Sequence, residues 1–154
     1  MKAESKISQT LSGVAGEYFV AAELSRRGFI ASITLRNTRG VDILVSNADA
    51  TKSVGVQVKT NQRANKEWLL NKKVEEGGDE TAKNLFFIFV NLNGVGAPGY
   101  HVVPKADVSA FTRSGHAKWL NTPGRKGQPH RDTPMRTFVD PDGKYIDRWD
   151  LLGL

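Results

Sequence analysis

The most continuous apolar stretch in the chain is LFFIFVNL at residues 85–92, bounded by polar residues, and its aromatic and β-branched content predicts a buried strand. Two earlier stretches alternate instead. Side chains two apart share a face of a strand. In 41–46, Val41, Ile43 and Val45 therefore point one way and Asp42 and Leu44 the other. In 53–60, Val54, Val56 and Val58 oppose Gly55, Gln57 and Lys59. The polar turn NADATK joins them, and a hairpin symmetric about residues 49 and 50 pairs Val41 with Val58, Ile43 with Val56 and Val45 with Val54. The same register sets Asp42 across from Gln57, with Lys59 two residues along. A slip of one residue would turn the apolar set to solvent, so burial selects this register.

The remaining pattern is helix first. Residues 11–27 read as a helix closed by Gly28, and FIASITL at 29–35 as a strand. EWLL is a short strand, GYHVVP another ending at Pro104, and 105–120 a helix with a break near Gly115. The end, RTFVDPDGKYIDRWDLL, predicts a hairpin turning at Pro-Asp-Gly and a short tail. No repeat or linker divides the chain, which reads as one domain over 1–154 of α/β class: an α+β mixed sheet flanked by helices.

On the first helix, Val14, Val20, Ala21 and Leu24 lie within about 60° of Glu17, whereas Ser12, Glu23 and Arg27 sit around the opposite side. A carboxylate in an apolar stripe is paired, holds a metal, or reaches water from the stripe's edge.

Composition narrows the partners. The 154 residues are 39% hydrophobic and 25% charged, an ordinary globular balance. No apolar run approaches the ~18 residues of a membrane span, and MKAESKISQT has no secretory apolar region. The absence of cysteine excludes disulfides and thiolate metal sites and is compatible with the cytoplasm. Lys plus Arg number 22 against 16 acids, for a net charge of +6, and the pI is near 9.7. Such a balance favours polyanions, nucleic acid first. Residues 113–136 concentrate it, with Arg113, Lys118, Arg125, Lys126, Arg131 and Arg136 against Asp132 alone. The Gly/Pro-rich stretch at about 121–136 predicts a basic loop able to lie along a phosphate backbone.

Asp42, the side-chain oxygen of Gln57 and the carbonyl of Val58 are hard oxygen donors of the kind that hold Mg²⁺ or Mn²⁺ beside retained waters. Glu17 could complete that shell. A metal there would acidify a bound water and stabilise charge on a scissile phosphate. Lys59 could orient the water and offset the developing charge. Together these groups predict hydrolysis of a phosphodiester. Arg36, Arg39, Arg63 and Lys66 flank them in sequence and could grip phosphates.

Glu17 on a first helix, GVD at 40–42 and QVK at 57–59 resemble the PD-(D/E)xK nuclease superfamily, nearest its Holliday-junction-resolvase-like and Mrr-type branches. The resemblance spans residues 11–60. It implies a restriction endonuclease-like core, Mg²⁺ or Mn²⁺ as cofactor and DNA as substrate, with RNA left open. By resemblance Asp42 matches the metal-binding Asp, Lys59 the motif Lys and Glu17 the helix acid. Three departures stand out. Gln57 replaces the usual second acid and removes a charge, Val41 replaces the usual proline, and the segment before LFFIFV is short for a second core helix. A catalytically inactive nuclease-fold protein that binds nucleic acid or a protein partner is therefore the alternative function. Two symmetric copies would supply two sites for the two strands of a duplex.

Other motifs read as structure. His101, His116 and His130 lack ligand-like spacing and suit surface or capping roles. GVGAPG is a plain connection between strands, since no helix start follows it. No G-x-S-x-G elbow occurs. Trp68, Trp119 and Trp149 read as core anchors, and VEEGGDE as a solvated loop.

Overall fold

The computed structural model describes residues 6–35, 40–77 and 83–154. Among these residues the chain runs α1 (Gln9–Arg26), β1 (Ile30–Ile33), β2 (Ile43–Ser46), β3 (Ser53–Asn61), β4 (Glu67–Asn71), β5 (Leu85–Asn91), β6 (Gly99–Pro104), α2 (Lys105–Asn121) and β7 (Met135–Val139). The larger sheet has the order β1-β2-β3-β5-β6, and β4 with β7 forms a second, two-stranded sheet. The β3–β5 pair is parallel and the other pairs are antiparallel, so the sheet is mixed.

β5 organises the interior because it is buried on both faces. Phe86, Ile88 and Val90 face a core that holds Val20 and Leu24 of α1 together with Trp149 and Leu152. Phe87 and Phe89 face a second core with Trp68, Val103, Val108 and Phe138. Phe89 stacks on Phe138 with centroids 4.4 Å apart, and the Trp68 indole N–H donates to the Val90 carbonyl at 3.2 Å. The unbroken apolar run thus feeds two cores from one strand.

α1 is capped at both ends. The Ser8 hydroxyl oxygen accepts from the Leu11 N–H. At the other end Gly28, at φ +89°, lets its own N–H reach Ser25 and the Phe29 N–H reach Leu24. The buried stripe is Ser12, Gly16, Val20 and Leu24. Ser12 was expected on the polar side, but its hydroxyl donates to the Ser8 carbonyl, which leaves it free to be buried. Glu17 is partly buried on the flank of this stripe. A Cβ on Gly16 would overlap the Thr60 hydroxyl, so the glycine lets helix and strand touch.

Several expectations need correction. No break occurs at Gly115: α2 is continuous and carries Arg113 and Lys118. The end is not a hairpin, because β7 pairs with β4, and residues beyond the Asp140 turn return to β6 through a bridge between Ile146 and His101. In VEEGGDE, Val74 is buried within a 3-10 helix at Lys72–Glu75, and Glu75 pairs with the buried Arg136 at 2.5 Å. Glu76 and Gly77 are exposed as expected, and residues 78–80 lie outside the described residues. Trp119 is 41% exposed and stacks with His116 and His130, whereas Trp68 and Trp149 are core residues as expected. Of the surface or capping roles expected for the histidines, half-buried His101 takes the second. It sits against Trp68 and hydrogen-bonds Asp140 at 2.8 Å, holding the C-terminal turn to β6.

Candidate active site at the open half of the third strand

β3 is nine residues long, but β2 pairs only with its first four: Ser46 with Ser53, Val45 with Val54, Leu44 with Gly55 and Ile43 with Val56. This is the register expected from the apolar alternation. It ends at Ile43. The Asp42 N–H donates to the Val56 carbonyl at 2.8 Å, one residue off the ladder. The offset, like a bulge, re-aims the residues beyond it. Val41 therefore does not join Val58 on the apolar face; its methyls lie over Gly55, where any Cβ would crowd both them and Leu85.

Asp42 likewise leaves its expected seat opposite Gln57. Its Oδ2 accepts the Val58 N–H at 2.7 Å. With β2 gone, that amide would lack a partner, and a carboxylate is a strong substitute for a strand carbonyl. The Gly55 N–H points to Asn84 and so toward β5, whereas the Val56 carbonyl and Val58 amide point toward β2. A strand residue turns its N–H and C=O to the same edge. The Val58 carbonyl thus opens beside Asp42.

Gln57 and Lys59 are both half-buried and line one cavity of about 750 Å³, floored by Leu70, Val74 and Phe87. Lys59 also lines a second cavity, of about 730 Å³, together with Val58, Thr60 and Arg63. Asp42 and Glu17 are not among the lining residues of either cavity. Glu17 instead follows the point where α1 meets β3, Gly16 against Thr60. Asp42 thus meets the open half of β3 at the Val58 amide, whereas Gln57 and Lys59 line a cavity that Asp42 and Glu17 do not. Glu17 lies on the helix packed over the Val54–Val56–Val58 face.

Among the described residues no three His, Cys, Asp or Glu side chains gather as a metal cluster. What the open half offers is one carboxylate, one amide oxygen and one main-chain carbonyl. Such a set of hard oxygens fits Mg²⁺ or Mn²⁺ with waters retained, and does not fit a thiophilic metal.

Of the basic residues expected to meet phosphates, Arg36 and Arg39 lie outside the described residues. Arg63 lines the second cavity, and Lys66 is exposed in the same β3–β4 connection. Arg125, Lys126 and Arg131 are exposed after α2. The first two lie past the end of α2 farthest from Lys105, about 25 Å along the helix axis. Arg136 is tied to Glu75 and to the carbonyls of Thr133 and Met135. Sequence reasoning missed Lys6, Lys73 and Lys105, which also line the two cavities. Only the long-range pairing of β4 with β7 and the packing of α2 on the 3-10 helix bring the last two there.

The basic loop is held at its own end of the molecule. His116 hydrogen-bonds Asp132 at 2.7 Å, and that bond is the main cause holding the Asp132 carboxyl below its ordinary value.

No family profile and no curated protein sequence matches the chain. Among solved structures, a bacterial homing endonuclease, I-Ssp6803I, superposes with a TM-score of 0.53 at 14% identity, over 96% of this chain and 94% of that one. The chain has the restriction endonuclease-like fold. A Holliday junction resolvase from Archaeoglobus fulgidus, Hjc, superposes at TM-score 0.48 and 14% identity over 83% of this chain and 84% of its own. The β3–β5 connection was expected to be short for a second core helix, and residues 78–82 of it lie outside the described residues. Its described part holds β4 and the 3-10 helix at Lys72–Glu75. No helix among the described residues is long and apolar enough to cross a membrane.

Proposed function

We propose that the chain is a metal-dependent DNA endonuclease, with Asp42, Gln57, Val58 and Glu17 holding Mg²⁺ or Mn²⁺ and Lys59 serving the attacking water and the phosphate. The observation that supports this most is the 2.7 Å hydrogen bond from the Val58 N–H to Asp42 Oδ2. It fixes the one acid of the strand pair at the β3 edge where the Val58 carbonyl opens, and Val58 stands between Gln57 and Lys59 in the chain. A bound divalent ion would supply an acidified water and neutralise charge on the scissile phosphate. The Lys59 ammonium, half-buried on a rigid strand, attracts the phosphate and stabilises negative charge as it builds. Gln57 contributes an amide oxygen without charge, so metal binding rests on fewer anions than a second acid would give. The proposed site of action is the cytoplasm, and a homodimer would present one site to each strand of a duplex.

The deciding assay incubates duplex, branched and single-stranded DNA with Mg²⁺ or Mn²⁺, wild type beside Asp42→Ala. Metal-dependent cutting by wild type that the variant loses is the expected result. Cutting undiminished in Asp42→Ala would remove the proposal. The lack of a three-acid cluster favours one rival, a nuclease-fold protein that binds nucleic acid without turnover. DNA affinity indifferent to Mg²⁺, with no cutting even in Gln57→Glu, would favour that rival.

A further inference from the structure

The two cavities meet at Lys59 and differ from each other. On one side, Lys6 and Arg63 line the wall with no carboxylate among the lining residues. On the other, Lys73 and Lys105 line it with a single carboxylate, Glu76. None of Lys6, Lys59, Arg63 and Lys73 is held in an ion pair among the described residues. The Lys105 ammonium donates to the Glu76 carbonyl at 2.7 Å, which fixes its position without neutralising it. Cations therefore stand on both sides of Lys59 along the part of β3 that β2 leaves uncovered.

The walls differ in their uncharged groups as well. The Lys6 side adds Gln9, Asn61, Gln62 and Asn65. Asn61 and Gln62 each spend one amide N–H on the Glu67 and Ile7 carbonyls, which pins that wall and leaves a second N–H and the oxygen of each to bind. The Lys73 side is floored by apolar side chains, Leu70, Val74, Leu85 and Phe87, with the amides of Gln57 and Asn71 on its wall.

Resting on the endonuclease reading, we infer that the DNA strand to be cut crosses Lys59 from one cavity to the other. Phosphates on one flank meet Lys6 and Arg63, and those on the other meet Lys73 and Lys105. The amide-rich flank is the one able to read base edges or sugars, because amides offer both donors and acceptors. The Lys73 flank, with more apolar floor and fewer amides, holds chiefly by charge. The basic loop with Arg125 and Lys126 lies off this path.

The test is binding of a labelled 20-base-pair duplex in metal-free buffer, by fluorescence anisotropy over a range of salt. Wild type is compared with Lys6→Ala/Arg63→Ala, Lys73→Ala/Lys105→Ala and Arg125→Ala/Lys126→Ala. Each lost phosphate contact lowers the log–log salt slope by about 0.9. Both cavity variants should lose close to two such increments, and the loop variant none. Since Lys105 is hydrogen-bonded, Lys73→Glu alone is measured too, and it should weaken binding with the fold intact. Wild-type binding with both cavity variants and Lys73→Glu unchanged would overturn the path while leaving the endonuclease reading standing. So would a slope that moves only in the loop variant. No wild-type binding at all would remove both.

Discussion

The two halves of β3 share one backbone and have opposite surroundings. From Ser53 to Val56 the strand is paired with β2, and its valines are buried with Ile43 and Val45. From Gln57 to Asn61 it is paired only with β5, and its residues other than the buried Val58 are half-buried beside cavities. The first half places the strand; the second presents polar groups on it. A strand that outruns its neighbour thus gains a rigid platform with open edge groups, and a single carboxylate suffices to occupy the amide so exposed.

The sharpest separation of the halves is Lys59→Ala. We expect cleavage to fall about 100- to 1000-fold, the scale of losing one charge-stabilising donor. The urea midpoint should stay where it is, and a large drop in stability would mean the open half also carries the fold. Ile43→Ala attacks the other half and should act in reverse. It removes a fully buried side chain and should cost about 2–5 kcal/mol by urea unfolding. Cleavage per folded molecule should survive. Gly16→Ala probes the seam between α1 and the open half, and overpacking against Thr60 should cost about 1–3 kcal/mol. Thr60→Ala in the same chain should recover part of that; no recovery would place the strain elsewhere.

The smallest effect belongs far from β3. The Asp132 carboxyl is held below its ordinary value of 3.8, chiefly by His116. Its contribution is therefore present above pH 3.8 and lost as pH falls through the lowered value. Trp119 fluorescence should report an acid transition there that Asp132→Asn removes, with no change in DNA cleavage at neutral pH.

Much of this arrangement was legible beforehand, and the reason is local. The alternation in 41–46 and 53–60 determined the register because only one pairing buries Ile43, Val45, Val54 and Val56 together. β5 was plain because a strand buried on both faces reads as a continuous apolar run. Where pairing stops, alternation says nothing: the one-residue offset at Asp42, and with it the displacement of Val41, depends on β2 leaving the sheet. Ser12 looked solvent-facing because a wheel does not show that a hydroxyl can satisfy itself on its own helix. Trp119 was read as core by residue type, yet histidines rather than aliphatic side chains cover it. Lys73 and Lys105 stand 32 positions apart, and no spacing rule links them; β7 and α2 must be in place first.

That dependence has a consequence for how the molecule is made. β4 pairs with β7 across 64 residues at Asn71 and Met135 and 72 at Glu67 and Val139. Such distant pairings close late, because the intervening chain must first be brought into order. During synthesis, β1, β2 and β3 can pair while β4 waits for a partner that has not yet left the ribosome. Leu70 and Asn71 on β4 form one wall of the cavity beside Lys59. That cavity is thus among the last parts of the molecule to take shape, and in a nascent chain the larger sheet would begin to form before the cavity has its wall.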